Sequence, residues 1–233
     1  MSAKGKLRKF AEISTYPHVI QPQFQEVFRT DYALKGKWNS EFFKNDNPIT
    51  LELACGKGEY TTGQAELFPH RNFIGIDIKG ARIWRGAKTA VEKNLSNVGF
   101  LRTRIELITS FFEKDEIEEI WITFPDPQPT KPRKRLTSAR FLSEYRKILK
   151  ADGTVNLKTD NPPFYAYTMD VVKYNNLGLK DHTDDIYNSE YANDKKLNIK
   201  TFYEKNWLEQ GLKSHYLQFN LQGNDNLENP PEL

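Results

Sequence analysis

The sequence predicts an α/β protein built on a mostly parallel sheet with helices on both faces. Three observations lead there. From Ile49 onward, short apolar runs of β type alternate with stretches of helical period. These runs end in glycine or acid: Cys55-Gly56-Lys57-Gly58, Asp77, Asp126 and Asp160. One end leads into Pro125-Asp126-Pro127-Gln128-Pro129, where prolines forbid helix or inner strand and stiffen the loop around a carboxylate. In such sheets ligands sit beyond the carboxyl ends of the strands, so these turns are expected to share one edge.

In chain order, residues 1–45 precede the first strand and read as a basic, partly flexible extension carrying Lys4, Lys6, Arg8 and Lys9. Ile49 to Ala54 is the first strand, feeding the glycine turn; Glu59 to Phe68 is a helix stopped by Pro69. Asn72 to Ile76 is a second strand ending at Asp77. Gly80 to Asn94 is a helix with Ile83, Trp84, Ala87, Ala90 and Val91 at helical spacing. Val98 to Leu101 is a third strand with a short helical piece to Phe112, and Glu119 to Phe124 is a fourth. Ser138 to Leu149 reads as helix with Phe141, Leu142, Tyr145, Ile148 and Leu149 on one side, and Asp152-Gly153 as a turn. Thr154 to Lys158 is a fifth strand ending in Thr159-Asp160, and Pro162 to Tyr174 is a helix with proline in its first turn, where it is tolerated. Leu179 to Ile186 and Ser214 to Leu221 complete seven strands as an antiparallel hairpin around a polar insertion, Tyr187 to Gly211. The expected organisation is an extension over 1–45, one domain over 46–222 and a disordered tail over 223–233.

Composition narrows the class. A chain of 233 residues can bury a full core. Lys plus Arg is 34 against 31 for Asp plus Glu, so a net charge of +3 does not announce a nucleic-acid binder. The basic residues are local instead, in the extension and at Lys131, Arg133, Lys134 and Arg135. The single cysteine, Cys55, excludes an intrachain disulfide and fits a reducing, cytoplasmic setting. No apolar run approaches a membrane span, and no segment of signal-peptide type opens the chain.

The glycine turn lets backbone approach a ligand closely. A dinucleotide fingerprint would need a further glycine at Glu59 or Thr61, which disfavours a nicotinamide dinucleotide. Glu52 on the first strand and Asp77 at the end of the second also repel a pyrophosphate. Asp77 is placed to bind ribose hydroxyls, so a cationic, ribose-bearing cofactor such as S-adenosylmethionine is favoured. Cys55 reads as a small side chain under the turn rather than a nucleophile. Asn161-Pro162-Pro163-Phe164 matches the signature of amino-group methyltransferases, but it follows the fifth strand rather than the fourth and reads as a helix start. Thr201 followed by Glu204 is a capping box on physical grounds.

The glycine turn, Phe124-Pro125-Asp126-Pro127 with its basic tail, Thr159-Asp160-Asn161 and Thr201-Phe202-Tyr203-Glu204 occur in this order. Together they resemble the bacterial tRNA (guanine-N7-)-methyltransferases from about Ile49 to Leu221. The resemblance implies a class I (Rossmann-like) fold and methyl transfer from S-adenosylmethionine, leaving S-adenosylhomocysteine, to a guanosine of the tRNA variable loop. It implies cofactor contacts at Glu52, Ala54, Gly56, Gly58, Asp77, Arg104, Ile105 and Asp126, with Asp126 at the catalytic centre. It implies substrate contacts at Lys131, Asp160, Thr201, Phe202, Tyr203 and Glu204, and RNA-backbone contacts at Arg133, Lys134 and Arg135. No metal and no membrane are implied, and monomer and homodimer both stay open. Three positions depart from the family pattern: Ala54 stands where glycine is usual, Arg104 where an acid is, and Gln128 where a tryptophan is. Two rivals remain: a methyltransferase acting on another nucleic-acid base, and a non-catalytic tRNA-binding protein.

Overall fold

The computed structural model describes residues 3–231; Met1, Ser2, Glu232 and Leu233, the ends of the expected extension and tail, lie outside the described residues. The chain divides into two compact units, Met1–Glu113 and Lys114–Leu233, a division that falls inside the single domain read from the sequence.

The first unit opens with α1 (Ala3–Ile13), β1 (Val19–Ile20), the single turn α2 (Phe24–Val27) and a π-helical turn at Trp38–Phe43. It continues as β2 (Ile49–Leu53), α3 (Glu59–Leu67), β3 (Asn72–Asp77), α4 (Gly80–Glu92), β4 (Val98–Arg102) and a 3-10 turn at Ile105–Ser110. The strands run β1-β4-β3-β2, with β1 parallel to β4, β4 to β3 and β3 to β2. The extension is thus built into this unit. Ile13 and Trp38 are fully buried, α1 packs on α4, and β1 adds a strand that the sequence pattern does not reveal. Trp38 Nε1 donates to Phe111 O at 2.8 Å, which gives the buried indole its partner.

Close packing sets where the glycine turn lies. The Phe100 ring is 1% exposed, and a Cβ added at Gly58, Gly75 or Gly86 would come within 2.6, 2.9 or 2.7 Å of it. Real Cβ atoms do not approach so closely, so β3, the start of α3 and the middle of α4 converge on that ring only because these three positions lack side chains. Gly58 also has φ +67, a conformation in which a side chain is strained.

The second unit contains β5 (Ile117–Thr123), a 3-10 turn at Pro132–Lys134, α5 (Ala139–Arg146), β6 (Leu149–Thr159) and α6 (Pro162–Tyr174). After them come β7 (Leu179–Thr183), 3-10 turns at Ile186–Asn188 and Glu190–Asn193, α7 (Phe202–Glu209) and β8 (His215–Asn220). The order is β5-β6-β8-β7, parallel between β5 and β6 and antiparallel at β6–β8 and β7–β8. The parallel strands and the C-terminal antiparallel pair are those expected, and β1 raises the strand count among the described residues from seven to eight. Helix α5 ends before Leu149, which already belongs to β6. The expected Asp152-Gly153 turn is a bulge within that strand, where the register jumps from Ile117↔Leu149 to Glu119↔Thr154. Residues 223–231 have neither helix nor strand, yet they are hydrogen-bonded to α5 and α6.

Candidate functional site

In the first unit the acids expected to hold a cofactor shape the glycine turn. Glu52 is 3% exposed, and its Oε2 accepts from Thr61 N at 2.8 Å and from Thr61 Oγ1. Thr61 N is one of the early amides of α3, so Glu52 satisfies a helix start from a neighbouring strand and complements its dipole. Asp77 bridges the next turn. Its Oδ2 accepts from Gly56 N at 3.0 Å and its Oδ1 from Lys79 N at 2.7 Å. Each carboxylate oxygen can accept a further bond. The turn itself is left-handed three times, at Ala54 (φ +58), Gly56 (φ +57) and Gly58 (φ +67). For Ala54, which has a side chain, that conformation costs about 1–2 kcal/mol. The strand consequently ends at Leu53, one residue earlier than expected.

Cys55 lies in the turn with its side chain buried. Burial first, then Glu52 and Asp77, push its thiol well above the ordinary range, so it is a packed, unreactive side chain. After β4, Arg104 is exposed and extended at the head of the 3-10 turn, with its carbonyl accepting from Leu107 N at 3.0 Å. Ile105 is half-buried and Glu106 exposed. An acidic, glycine-lined turn fits a cationic, ribose-bearing cofactor and does not fit a pyrophosphate.

In the second unit the loop after β5 presents one carboxylate. Phe124 has φ +46 and donates its N–H to Lys158 O at 2.8 Å, which ties the loop's first residue to β6. Asp126 is exposed, and its Oδ1 accepts from Gln128 N at 3.0 Å, with Gln128 again left-handed at φ +46. Arg135 holds the far side, its Nε donating to Pro127 O at 3.0 Å while its guanidinium lies 4.3 Å from the centre of the Tyr167 ring. Lys131, Arg133 and Lys134 are exposed along the 3-10 turn. Phe124 and Gln128 are thus two left-handed non-glycine residues within five positions, with hydrogen bonds at both ends of the loop holding that strained backbone.

Asp160 follows β6 and is half-buried. That burial is the largest influence on its carboxyl and moves it above the usual aspartate range. Beside it Asn161 caps α6, its Oδ1 accepting from Phe164 N at 2.8 Å with Pro162 and Pro163 in the first turn. Its side-chain oxygen therefore belongs to the helix cap, as the helix-start reading expects, and not to an amino-group acceptor.

The Thr201 to Glu204 segment divides in two. Thr201 Oγ1 accepts from Glu204 N at 3.2 Å, the forward half of the capping box. The reverse half is absent among the described residues, because Glu204 turns inward: its carboxylate is fully buried and lies 2.8 Å from the equally buried ammonium of Lys158. Lys158 also donates to Leu197 O at 2.7 Å and Ile199 O at 3.1 Å, while Tyr187 OH and Ser214 Oγ donate to Glu204 at 2.6 and 3.1 Å. Phe202 and Tyr203 face outward, each 52% exposed, with Tyr203 stacked on Trp207 at 6.1 Å and Trp207 5.5 Å from Phe124. Sequence reasoning did not reach Lys158 or Trp207. A lysine inside an otherwise apolar strand run was the available signal for the first; nothing in the local pattern marked the second.

A family model described as "Putative methyltransferase" matches residues 46–217. The chain is 48% identical over 227 residues to a tRNA (guanine-N(7)-)-methyltransferase of Bacteroides fragilis (strain YCH46), covering 97% of this chain and 90% of that protein. It is 50% identical over 211 residues to the protein of the same name from Porphyromonas gingivalis (strain ATCC BAA-308 / W83), covering 90% and 86%. Among solved structures, an antibiotic-related methyltransferase superposes with a TM-score of 0.59 at 18% identity, over 82% of this chain and 95% of that one. A SAM-dependent methyltransferase from Aquifex aeolicus superposes with a TM-score of 0.51 at 12% identity, over 90% and 96%. At those identities the structures speak for the fold alone.

Proposed function

This chain belongs to the tRNA (guanine-N(7)-)-methyltransferase family, and from that premise we propose that it transfers the methyl group of S-adenosylmethionine to N7 of a guanosine in the tRNA variable loop. The observation that carries the reading to particular atoms is the loop after β5, which holds Asp126 exposed between two left-handed residues.

S-adenosylmethionine supplies an electrophilic methyl on a sulfonium. Asp77 is assigned to the ribose hydroxyls, with Glu52 keeping the turn in shape and Gly56 and Gly58 giving backbone access. Ala54, Arg104 and Ile105 complete the cofactor contacts. Guanine N7 has an in-plane lone pair and no proton, so no general base is needed. The protein must align the base and tolerate positive charge moving onto the purine. Asp126 accepts hydrogen bonds from guanine donors and favours that charge electrostatically. Asp160, Thr201, Phe202 and Tyr203 are assigned to the base and its neighbours. Glu204 acts from behind them through Lys158 rather than by touching substrate. Lys131, Arg133, Lys134 and Arg135 are assigned to phosphates, which makes binding salt-dependent. The transfer as written needs no metal ion. Among the described residues no helix is long and apolar enough to cross a membrane, and the cytoplasm is the compartment we assign. The same chemistry can run in a monomer or a homodimer.

The test is incubation with unmodified bulk tRNA and methyl-labelled S-adenosylmethionine, followed by chemical cleavage of the RNA at 7-methylguanosine. Cleavage at one variable-loop position is expected. Label without cleavage would move the reaction to another atom.

A further inference from the structure

The last residues of the chain are strapped across α5 and α6. Arg146 Nη1 donates to Asn224 O and Asp225 O, both at 2.8 Å. Asn175 pairs with the backbone of Glu228 in both directions, each bond 2.8 Å. Asn229 Oδ1 accepts from Ala139 N and from Tyr167 OH, both at 3.0 Å. Ala139 opens α5, so a neutral amide oxygen of the strap satisfies a helix-start N–H that would otherwise suit an anion.

The strap, α5, α6 and the loop after Asp126 wall an open groove of about 1840 Å³. Arg133, Arg135, Arg140 and Lys173 line it against two acids, Asp170 and Glu228. Tyr167 and Tyr174 lie among the cations, Tyr174 being 46% exposed. Phosphate needs cations and unstacked bases need aromatic faces, and single-stranded or splayed RNA is the ligand that uses both. An acidic peptide would use the arginines but leave the exposed face of Tyr174 without a partner. A net charge of only +3 on the whole chain makes the local excess informative. Arg135 connects the groove to chemistry, since its Nε holds the carbonyl of Pro127, next to Asp126.

We propose that this groove holds the sugar–phosphate backbone of the tRNA substrate away from the target nucleotide, with the C-terminal strap as its fixed wall. The proposal rests on the methyltransferase reading above and names where that enzyme grips its RNA. A backbone seated there pulls on Arg135 and so settles the loop that carries Asp126.

The experiment uses the full chain with Arg140→Glu and Lys173→Glu together. Both side chains are exposed on helices and neither has been given a catalytic role. Cofactor affinity is measured by calorimetry. Affinity for unmodified tRNA is measured between about 50 and 200 mM salt. Unchanged cofactor affinity is expected, with tRNA binding at least tenfold weaker and the slope of log K against log salt shallower by about one to two. Asn229→Ala, which loosens the strap without changing charge, is expected to weaken tRNA binding less and leave that slope unchanged. If the wild type methylates tRNA but the charge-reversed variant binds it with unaltered affinity and slope, the groove is not the grip, and the methyltransferase reading stands. If the wild type transfers no methyl to tRNA, both readings fall. Should the double reversal fail to fold, Arg140→Gln with Lys173→Gln carries the same comparison, with a threefold loss expected.

Discussion

The ammonium of Lys158 and the carboxylate of Glu204 lie 2.8 Å apart with neither side chain exposed. They join β6, just before Asp160, to the helix that presents Phe202 and Tyr203. Burial pulls the Lys158 ammonium below the ordinary lysine range, with Glu204 the main opposing influence. Removing one partner strands a buried charge, which costs about 3–5 kcal/mol. Lys158→Met should therefore lower stability by roughly that amount, and Glu204→Gln by a comparable one, read by denaturant melts. A loss under about 1 kcal/mol for both would show that the pair is solvated in solution.

Asp126→Ala should reduce turnover by about 10²–10³ while leaving cofactor affinity within a few-fold, because its effect belongs to the transition state. Single-turnover kinetics with calorimetry on the same variant separate the two. Turnover preserved within a few-fold would remove Asp126 from the centre.

The raised carboxyl of Asp160 predicts a pH dependence. A group whose folded pKa exceeds its unfolded value stabilises the fold while protonated, and that contribution disappears as pH rises through the folded value. Stability attributable to Asp160 should thus fall from just above the ordinary aspartate range upward, and Asp160→Asn should flatten that part of the melting-temperature profile. If Asp160 contacts guanine as a carboxylate, kcat/KM for tRNA rises across the same window. An identical acid limb in the variant would assign the titration elsewhere.

At Ala54 the expected change is a gain. Glycine there relieves a left-handed alanine at about 1–2 kcal/mol and gives back about 0.4–1 kcal/mol in unfolded-chain entropy. Ala54→Gly should stabilise the chain by about 0.5–1 kcal/mol in thermal melts. A destabilised variant would mean that the methyl group packs more favourably than its backbone suffers.

Tyr203→Ala should raise KM for tRNA with little change in cofactor affinity. Stacking of one base on an aromatic side chain is worth about 1–3 kcal/mol, so a rise of at least fivefold is expected. An unchanged KM would make the Tyr203–Trp207 pair a packing feature only.

Much of the fold is legible in the chain because period and punctuation agree. The apolar runs of β2, β3 and β5, the glycine turn and the prolines before α6 each announce their element locally. β1 is not legible: two half-buried residues, Val19 and Ile20, have no alternation to read and owe their strand state to pairing with Phe100 and Leu101. The stiff loop around Asp126 is legible because its prolines are local signals. The inward turn of Glu204 is not, since its partner lies 46 residues away and a capping box explains the same letters. The tail misleads for a similar reason. Asn-, Pro- and Glu-rich sequence reads as disorder, and only the fixed positions of Asn175, Arg146 and Ala139 give it partners.

β8 is the last strand of the chain, yet it lies between β6 and β7. During synthesis, β6 and β7 leave the ribosome before the strand that joins them exists. Val155 and Leu157 on β6, whose register partners are Phe219 and Leu217 of β8, wait without those partners while the insertion is translated. The second unit therefore closes only once β8 has been translated. Long-range pairing of this kind is slow and leaves strand edges open to other chains. A chain truncated shortly before His215 loses the joining strand outright, leaving β6 and β7 without the strand that pairs with both.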